Sequence, residues 1–203
     1  MSIPFQDSET AKNLLRAFAG ESQARNRYDF AANLCQKQEL QAMAFIFQAT
    51  AKQEQAHAKV FWDHLQALNG QNLPIYGAYP IEGTNRILEL LRAAQHNEHE
   101  EHGSVYPSFA AIATQEGFPE AAASFRQIAA IEQLHGERFG LLADQLESGA
   151  LFVSQIETGW MCLNCGHTQN SLEAPKHCPV CNHGQGWFIR LELAPWSPVV
   201  KQT

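Results

Sequence analysis

The sequence lacks any apolar run approaching the roughly 18 residues that a membrane-crossing helix needs, so no transmembrane span is expected. Its opening stretch, MSIPFQDSETAKNLL, has no basic segment followed by an apolar one, which argues against a secretory signal and for a cytoplasmic location. Cationic residues are few. The 14 Lys and Arg stand against 21 Asp and Glu, and a net charge of −7 argues against a nucleic-acid partner. No glycine-rich dinucleotide motif is present, so a nicotinamide reductant would have to act through a separate reductase. Of five cysteines only Cys35 lies outside the segment 162–181, and it reads as a small buried hydrophobe.

What is present is helix over most of the length. The 203 residues suffice for one sizeable domain and a small one. Ser8 can cap a first helix with apolar positions Leu14, Leu15 and Phe18, and Tyr28 follows further along. A second apolar pattern runs from Met43 to Leu68 and stops at Asn69-Gly70; the break before it, near Lys37, has no Gly or Pro to mark it. QNLPIYGAYPIEG reads as a long loop, after which Thr84 can cap a third helix. Gly117 and Pro119 make a tight connection to a fourth, which ends at Ser148-Gly149. Two short connections and one long one predict an all-α four-helix bundle with a crossover, residues 1–149. Beyond it, LFVSQIETGWMC and WFIRLEL read as short strands of a small β-rich domain, residues 150–203.

The bundle carries a repeated pattern of acid and imidazole. Glu54-x-x-His57 and Glu132-x-x-His135 each place a carboxylate and an imidazole on one helix face. Glu21 lies 33 residues before Glu54, and Glu98 lies 34 before Glu132, so Glu98 is the counterpart of Glu21. Glu101 is an extra carboxylate with no partner in the first half. Tyr28 follows Glu21 by seven residues and Tyr106 follows Glu98 by eight.

One Glu from each of two helices and Glu-x-x-His from each of the other two is the ligand pattern of a di-iron or di-manganese carboxylate site in a ferritin-like bundle. Five carboxylates converging in a core are untenable without cations. Two ferrous ions against them leave a charge of −1, and two ferric ions with one oxo bridge leave the same, so Glu101 would let the site change oxidation state at constant buried charge. The run HNEHEEH spaces its histidines by three, not four, so the H-E-x-x-H zinc-protease reading fails. His96, His99, His102 and His64 read as surface or supporting residues.

CLNCGHTQNSLEAPKHCPVC gives Cys162-x2-Cys165 and Cys178-x2-Cys181, two knuckles for one tetrahedral metal ion. Gly166 and Asn182 follow the knuckles and tolerate left-handed φ. Trp160, Trp187 and Phe188 can cap the module. Four thiolates alone leave zinc and iron open; a second, redox-type site in the same chain favours iron.

Together, Glu21 with ARNRY, TAKQEQAHA, EHEEHGSVYPSFA, IEQLHGER and the knuckles CLNCGH and CPVC resemble the rubrerythrin family over nearly the whole chain. The resemblance implies a non-haem di-iron peroxidase that reduces hydrogen peroxide to water, with electrons entering through a rubredoxin-like iron–tetrathiolate centre. It implies Glu21, Glu54, Glu98, Glu101, Glu132 and His135 as di-iron ligands, with His57 and Glu101 exchanging on one iron. Tyr28 and Tyr106 would hydrogen-bond the ligand carboxylates. It also implies a homodimer or larger assembly and an electron-donating reductase, or a rubredoxin- or ferredoxin-like donor. A ferroxidase or iron-handling protein on the same fold is the main rival. A helical bundle with a structural zinc ribbon, binding a protein or nucleic acid, is the second.

Overall fold

A computed structural model of the chain describes residues 3–194. Four long helical stretches come first: α1 (Glu9–Lys37), α2 (Gln41–His64), then α3 (Ile87–Glu100) and α4 (Tyr106–Glu116) joined by a π-helical turn (Glu101–Val105), and α5 (Pro119–Glu147). Three strands follow: β1 (Val153–Cys162), β2 (Thr168–Glu173) and β3 (Phe188–Arg190). None of the described helices is long and apolar enough to cross a membrane.

The helix boundaries have local causes. At the start of α1, Ser8 Oγ accepts the Ala11 amide at 3.0 Å, as a capping serine should. The side chain of Glu116 accepts the Glu9 and Thr10 amides at 3.0 and 2.8 Å. Three helices end the same way. A residue turns left-handed, and the amide after it reaches back five residues. Gly117 (φ 87) does this after α4, with Phe118 bonding the Ala113 carbonyl at 2.8 Å. Gly149 (φ 70) does it after α5, with Ala150 bonding Gln145 at 2.8 Å. After α1 the left-handed residue is Glu39 (φ 61), with Leu40 bonding Cys35 at 2.9 Å, which is why no glycine marks that boundary. The second helix tightens into a 3-10 turn (Leu65–Leu68) before Asn69-Gly70. The third begins at Ile87. Thr84 precedes it, accepting the Arg86 amide at 3.2 Å and donating to Glu89 at 2.5 Å.

The described residues fall into two compact units. The first takes residues up to Arg27, Thr50–Gly83 and His96–Gly136. Its core is Leu14, Ala17, Phe61, Tyr106, Ala113, Phe125 and their neighbours, all essentially buried. Phe61, Tyr106 and Phe125 stack within 5.2–6.0 Å of one another. The second takes Tyr28–Ala49, Thr84–Gln95 and the chain from Glu137 onward. In it Tyr28, Phe47 and Phe139 form one aromatic cluster, and Cys35 is fully buried, its thiol pushed up to about 12 by desolvation.

The second unit also holds the antiparallel sheet, in the order β2-β1-β3. Trp160 pairs with Gln169 on one side and Arg190 on the other. The polar run TQNSLE was not read as a strand from sequence, yet it forms β2 because β1 offers it an edge to pair with. WFIRLEL is a strand only over Phe188–Arg190 and then turns 3-10. Gly186 packs against the Glu39 backbone so closely that a Cβ there would run into the Glu39 carbonyl oxygen.

Candidate metal centres

All seven acid and imidazole positions singled out from sequence lie in the first unit. Six of them are nine-tenths or more buried: Glu21, Glu54, His57, Glu98, Glu132 and His135. Their ligand atoms form two overlapping quartets, each with all atoms within 4.8 Å of one another. One is Glu21, Glu54, His57 and Glu132; the other is Glu54, Glu98, Glu132 and His135. Glu54 and Glu132 belong to both. Two carboxylates common to two donor sets are what a pair of cations bridged by carboxylates requires. Each set then adds one further carboxylate and one imidazole.

Both imidazoles present Nδ1 to the pocket. His57 Nδ1 lies 2.9 Å from Glu132 Oε1 and 3.2 Å from Glu54 Oε2. His135 Nδ1 lies 2.8 Å from Glu132 Oε2 and 3.1 Å from Glu54 Oε1. The rings stack at 5.8 Å. Burial pulls both imidazoles toward neutrality, but the surrounding carboxylates outweigh it; His57 is driven up to about 12. Burial raises Glu21 to about 8. Without metal, then, protons supply the positive charge that the acids need.

The donor set fits a pair of hard cations. Glu21 Oε2, Glu54 Oε1, both Glu132 oxygens and His135 Nδ1 are buried with no hydrogen bond of good geometry. So many orphaned donor atoms aimed at one pocket would each cost about 1–3 kcal/mol or more if left so. Coordination removes that cost.

Glu101 stands apart. It belongs to neither quartet, and it begins the π-helical turn. Desolvation first, and then the charges of Glu21, Glu98, Glu132 and Glu54, hold its carboxyl well above the usual range, so it faces the same pocket electrostatically. Tyr106, buried and kept protonated by desolvation and by the neighbouring carboxylates, donates to Glu21 Oε1. Tyr28 belongs to the second unit, where its ring packs against Phe47 and Phe139.

Sequence reasoning missed Gln53, whose Oε1 accepts from His135 Nε2 at 3.0 Å. That bond puts the ring proton on Nε2 and leaves the Nδ1 lone pair for a metal. Gln53 adjoins Glu54, but nothing in a lone Gln on an exposed helix position signals the contact. Of the other histidines, His64 pairs with Ser124 Oγ at 2.9 Å and His102 with the Ala129 carbonyl at 2.8 Å. His96 and His99 are exposed. None of these joins the pocket.

The second centre is built by two superposable knuckles. The Cys162 amide bonds the His167 carbonyl at 2.8 Å, and Gly166 bonds Cys162 at 2.8 Å. In the second, Cys178 bonds His183 at 2.8 Å and Asn182 bonds Cys178 at 2.9 Å. Gly166 (φ 77) and Asn182 (φ 58) both take the left-handed conformation that their positions required. The thiols approach at 3.7 Å (Cys162–Cys181) and 3.6 Å (Cys165–Cys178). A tetrahedron with metal–sulfur bonds of about 2.3 Å has edges of about 3.8 Å, so the four sulfurs stand ready for one ion. Hydrogen bonding from the His183 amide draws the Cys181 thiol down to about 5, toward the thiolate a metal needs. Trp160 and Phe188 are buried beneath the module, with Trp187 packed against them.

Comparison with known proteins agrees with both centres. The rubrerythrin family profile matches residues 12–143, and the profile for the rubredoxin-like domain of rubrerythrin matches residues 160–189. The rubrerythrin of Porphyromonas gingivalis is 44% identical over 188 residues, 93% of this chain and 92% of that one. The rubrerythrin of Nitratidesulfovibrio vulgaris is 40% identical over 186 residues, 92% and 96% of the two chains. Among solved structures, nigerythrin in its fully reduced, all-ferrous state superposes with a TM-score of 0.60 at 25% identity, covering 91% of this chain and 90% of that one. The fold expected from sequence, a ferritin-like helical part followed by a rubredoxin-like β module, is the one found. Four cysteines make a rubredoxin-like iron site, the buried Glu and His cluster makes a di-iron site, and the two together mark an oxidoreductase. With both halves matched and close relatives aligned nearly end to end, this chain belongs to the rubrerythrin family.

Proposed function

We propose that the protein is a peroxidase that reduces hydrogen peroxide to water at the paired-metal pocket, with electrons passed in from the four-cysteine site. The observation that carries the reading is Glu101: a seventh ligand-type side chain, half-buried, within the field of the quartet carboxylates and used by neither quartet. Storing or passing metal needs no spare ligand of this kind, nor an attached electron relay. A site that changes charge in each turnover does.

The chemistry a bound iron pair supplies is two electrons for the O–O bond, and with two electrons and two protons one peroxide becomes two waters. The chain's residues do the rest. Glu54 and Glu132, common to both quartets, would be shared by the two ions, and Glu21 with His57, and Glu98 with His135, would complete the two sets. Tyr106 fixes Glu21 in place. Glu101 would take the place of His57 when the site loses electrons, bringing a carboxylate already at the pocket onto the position that has gained positive charge. Residues 1–149 act as the catalytic module and 150–203 as the electron-transfer module. The electrons come from a separate reductase or small iron–sulfur donor, in the cytoplasm, and the working form is a homodimer or larger.

Stopped-flow mixing of the reduced, iron-loaded protein tests this. Peroxide should oxidise it faster than dioxygen does, and the four-cysteine iron should be oxidised only after the pair. If dioxygen reacts much faster, the chemistry is that of a ferroxidase.

A further inference from the structure

A cavity of about 240 Å³ lies in the first unit, and Glu101 and Tyr106 form part of its wall. The opposite wall is the crossover segment, through Gly77, Tyr79 and Pro80. That segment has no regular structure, yet it is pinned. Arg16 Nε donates to the Tyr76 carbonyl at 2.9 Å, and the Tyr79 hydroxyl donates to the Arg16 carbonyl at 3.0 Å. Glu82 accepts from Arg27 Nη1 at 2.9 Å and from Asn97 Nδ2 at 2.9 Å. Arg27 and Glu82 are only 15% and 16% exposed, so solvent screens this pair far less than a surface one.

Gly20 is the second observation. It sits buried in the interior of α1, where glycine is a costly choice and where no left-handed φ calls for it. A Cβ added there would come within 3.6 Å of the Tyr79 ring, an ordinary contact, so backbone crowding does not explain the glycine either. Any side chain longer than a methyl at this position would have to enter the gap between α1 and Tyr79, on the cavity wall that Gly20 shares with Glu101 and Tyr106. The lining is mixed: Arg16, Gln23, Arg27, Asn97 and Glu100 border it together with Ala17, Pro80, Val105 and Phe109.

We infer that this cavity is the passage by which a small, hydrogen-bonding hydroperoxide reaches the paired-metal pocket, and that Gly20 and Tyr79 set its width. The inference deepens the peroxidase reading and rests on it for the identity of the substrate, though not for the existence of the passage. The narrowness set by Gly20 and Tyr79 favours hydrogen peroxide, which carries two donors and two acceptors for the polar side chains of the wall, over a bulkier alkyl hydroperoxide.

The test uses the full-length, iron-loaded protein and three variants. Gly20→Leu plugs the space, Gly20→Ala is its conservative control, and Tyr79→Ala opens the wall from the far side. Two rates are read: oxidation of the reduced protein by hydrogen peroxide and by tert-butyl hydroperoxide, and binding of azide to the oxidised protein, followed by its absorption band. Metal content per chain is measured for each variant. Gly20→Leu should slow both hydrogen peroxide and azide by about tenfold with its metal content unchanged, while Gly20→Ala stays near the parent. Tyr79→Ala should raise the rate with tert-butyl hydroperoxide relative to hydrogen peroxide. If Gly20→Leu keeps its iron and still takes up azide at the parent rate, or if Tyr79→Ala leaves the ratio of the two peroxides unchanged, the passage is elsewhere. If azide entry slows as expected but the parent protein does not react with peroxide, the passage stands and the peroxidase reading falls.

Discussion

Replacing Gln53 by Leu separates the two halves of the paired-metal pocket. The only site group that Gln53 is seen to touch is His135, through the 3.0 Å bond to Nε2. Leu has nearly the same volume and cannot accept a hydrogen bond, so the ring loses the partner that holds its tautomer and its angle. Loss of such an outer partner typically costs 10–100-fold in metal affinity. Gln53 is exposed, so water can take over part of its role, and the expected loss is at the low end, about tenfold or about 1.4 kcal/mol. Because Glu54 and Glu132 serve both quartets while His135 serves one, only one of two metal equivalents should weaken. Anaerobic titration of metal-free protein with Fe(II) or Co(II), against a competing chelator, resolves the two equivalents. Gln53→Glu keeps an acceptor and should bind both at least as tightly as the parent. Two equivalents weakened alike in Gln53→Leu, or neither weakened, would refute the assignment of His135 to a single metal.

Further outcomes follow from individual contacts. Tyr106→Phe removes the donor to Glu21 and should destabilise the metal-free protein to denaturant by about 1 kcal/mol, besides weakening the metal equivalent opposite to the one that Gln53 controls. Glu116→Gln weakens the cap on α1 and should cost about 1 kcal/mol at neutral pH. Although burial raises the Glu116 carboxyl, bonds from Thr10 and the Glu9 and Thr10 amides outweigh it and hold it below the ordinary 4.5. Its contribution is therefore complete above that value and disappears as pH falls through the lower folded value, so parent and variant should converge in acid. Gly186→Ala drives a Cβ into the Glu39 carbonyl and should lower thermal stability by about 1–3 kcal/mol, with altered near-ultraviolet dichroism from the adjoining Trp187.

The helical part and both ligand sets were legible because metal chemistry imposes residue type and spacing together. Glu-x-x-His twice, or Cys-x2-Cys twice, leaves few other readings. Glycine was informative where a left-handed turn follows a helix, at Gly117 and Gly149, and silent where Glu39 takes that conformation instead. The strand β2 was hidden because Leu172 is its one apolar residue and is exposed, so no alternation marks it, and its pairing energy comes from β1 rather than from a buried face. Gln53 and the Glu82 anchor were hidden for a related reason. Each acts through a contact made 82 and 55 residues away respectively, and a single polar side chain carries no periodicity that could announce it.

One small irregularity in the sequence turns out to hold much of the site together. In a regular helix each residue turns about 100°, so a residue seven positions on returns to within about 20° of the starting face and one eight positions on misses by about 80°. Tyr28 follows Glu21 by seven; Tyr106 follows Glu98 by eight. Eight would aim Tyr106 away from the pocket if α3 and α4 were one unbroken helix. The π-helical turn Glu101–Val105 absorbs the extra residue, since its wider ring takes one more residue for the same rotation. Two results follow at once. Tyr106 returns to the inner face and reaches Glu21, 85 residues earlier in the chain. And Glu101, at the first position of the widened turn, lies within the field of carboxylates from both quartets without belonging to either. In the half of the chain without the extra residue the helix is regular through Tyr28, and the sequence repeat supplies no counterpart to Glu101. The inserted residue and the spare carboxylate thus belong to one π-helical turn, and it is there that the two halves of the helical repeat part company.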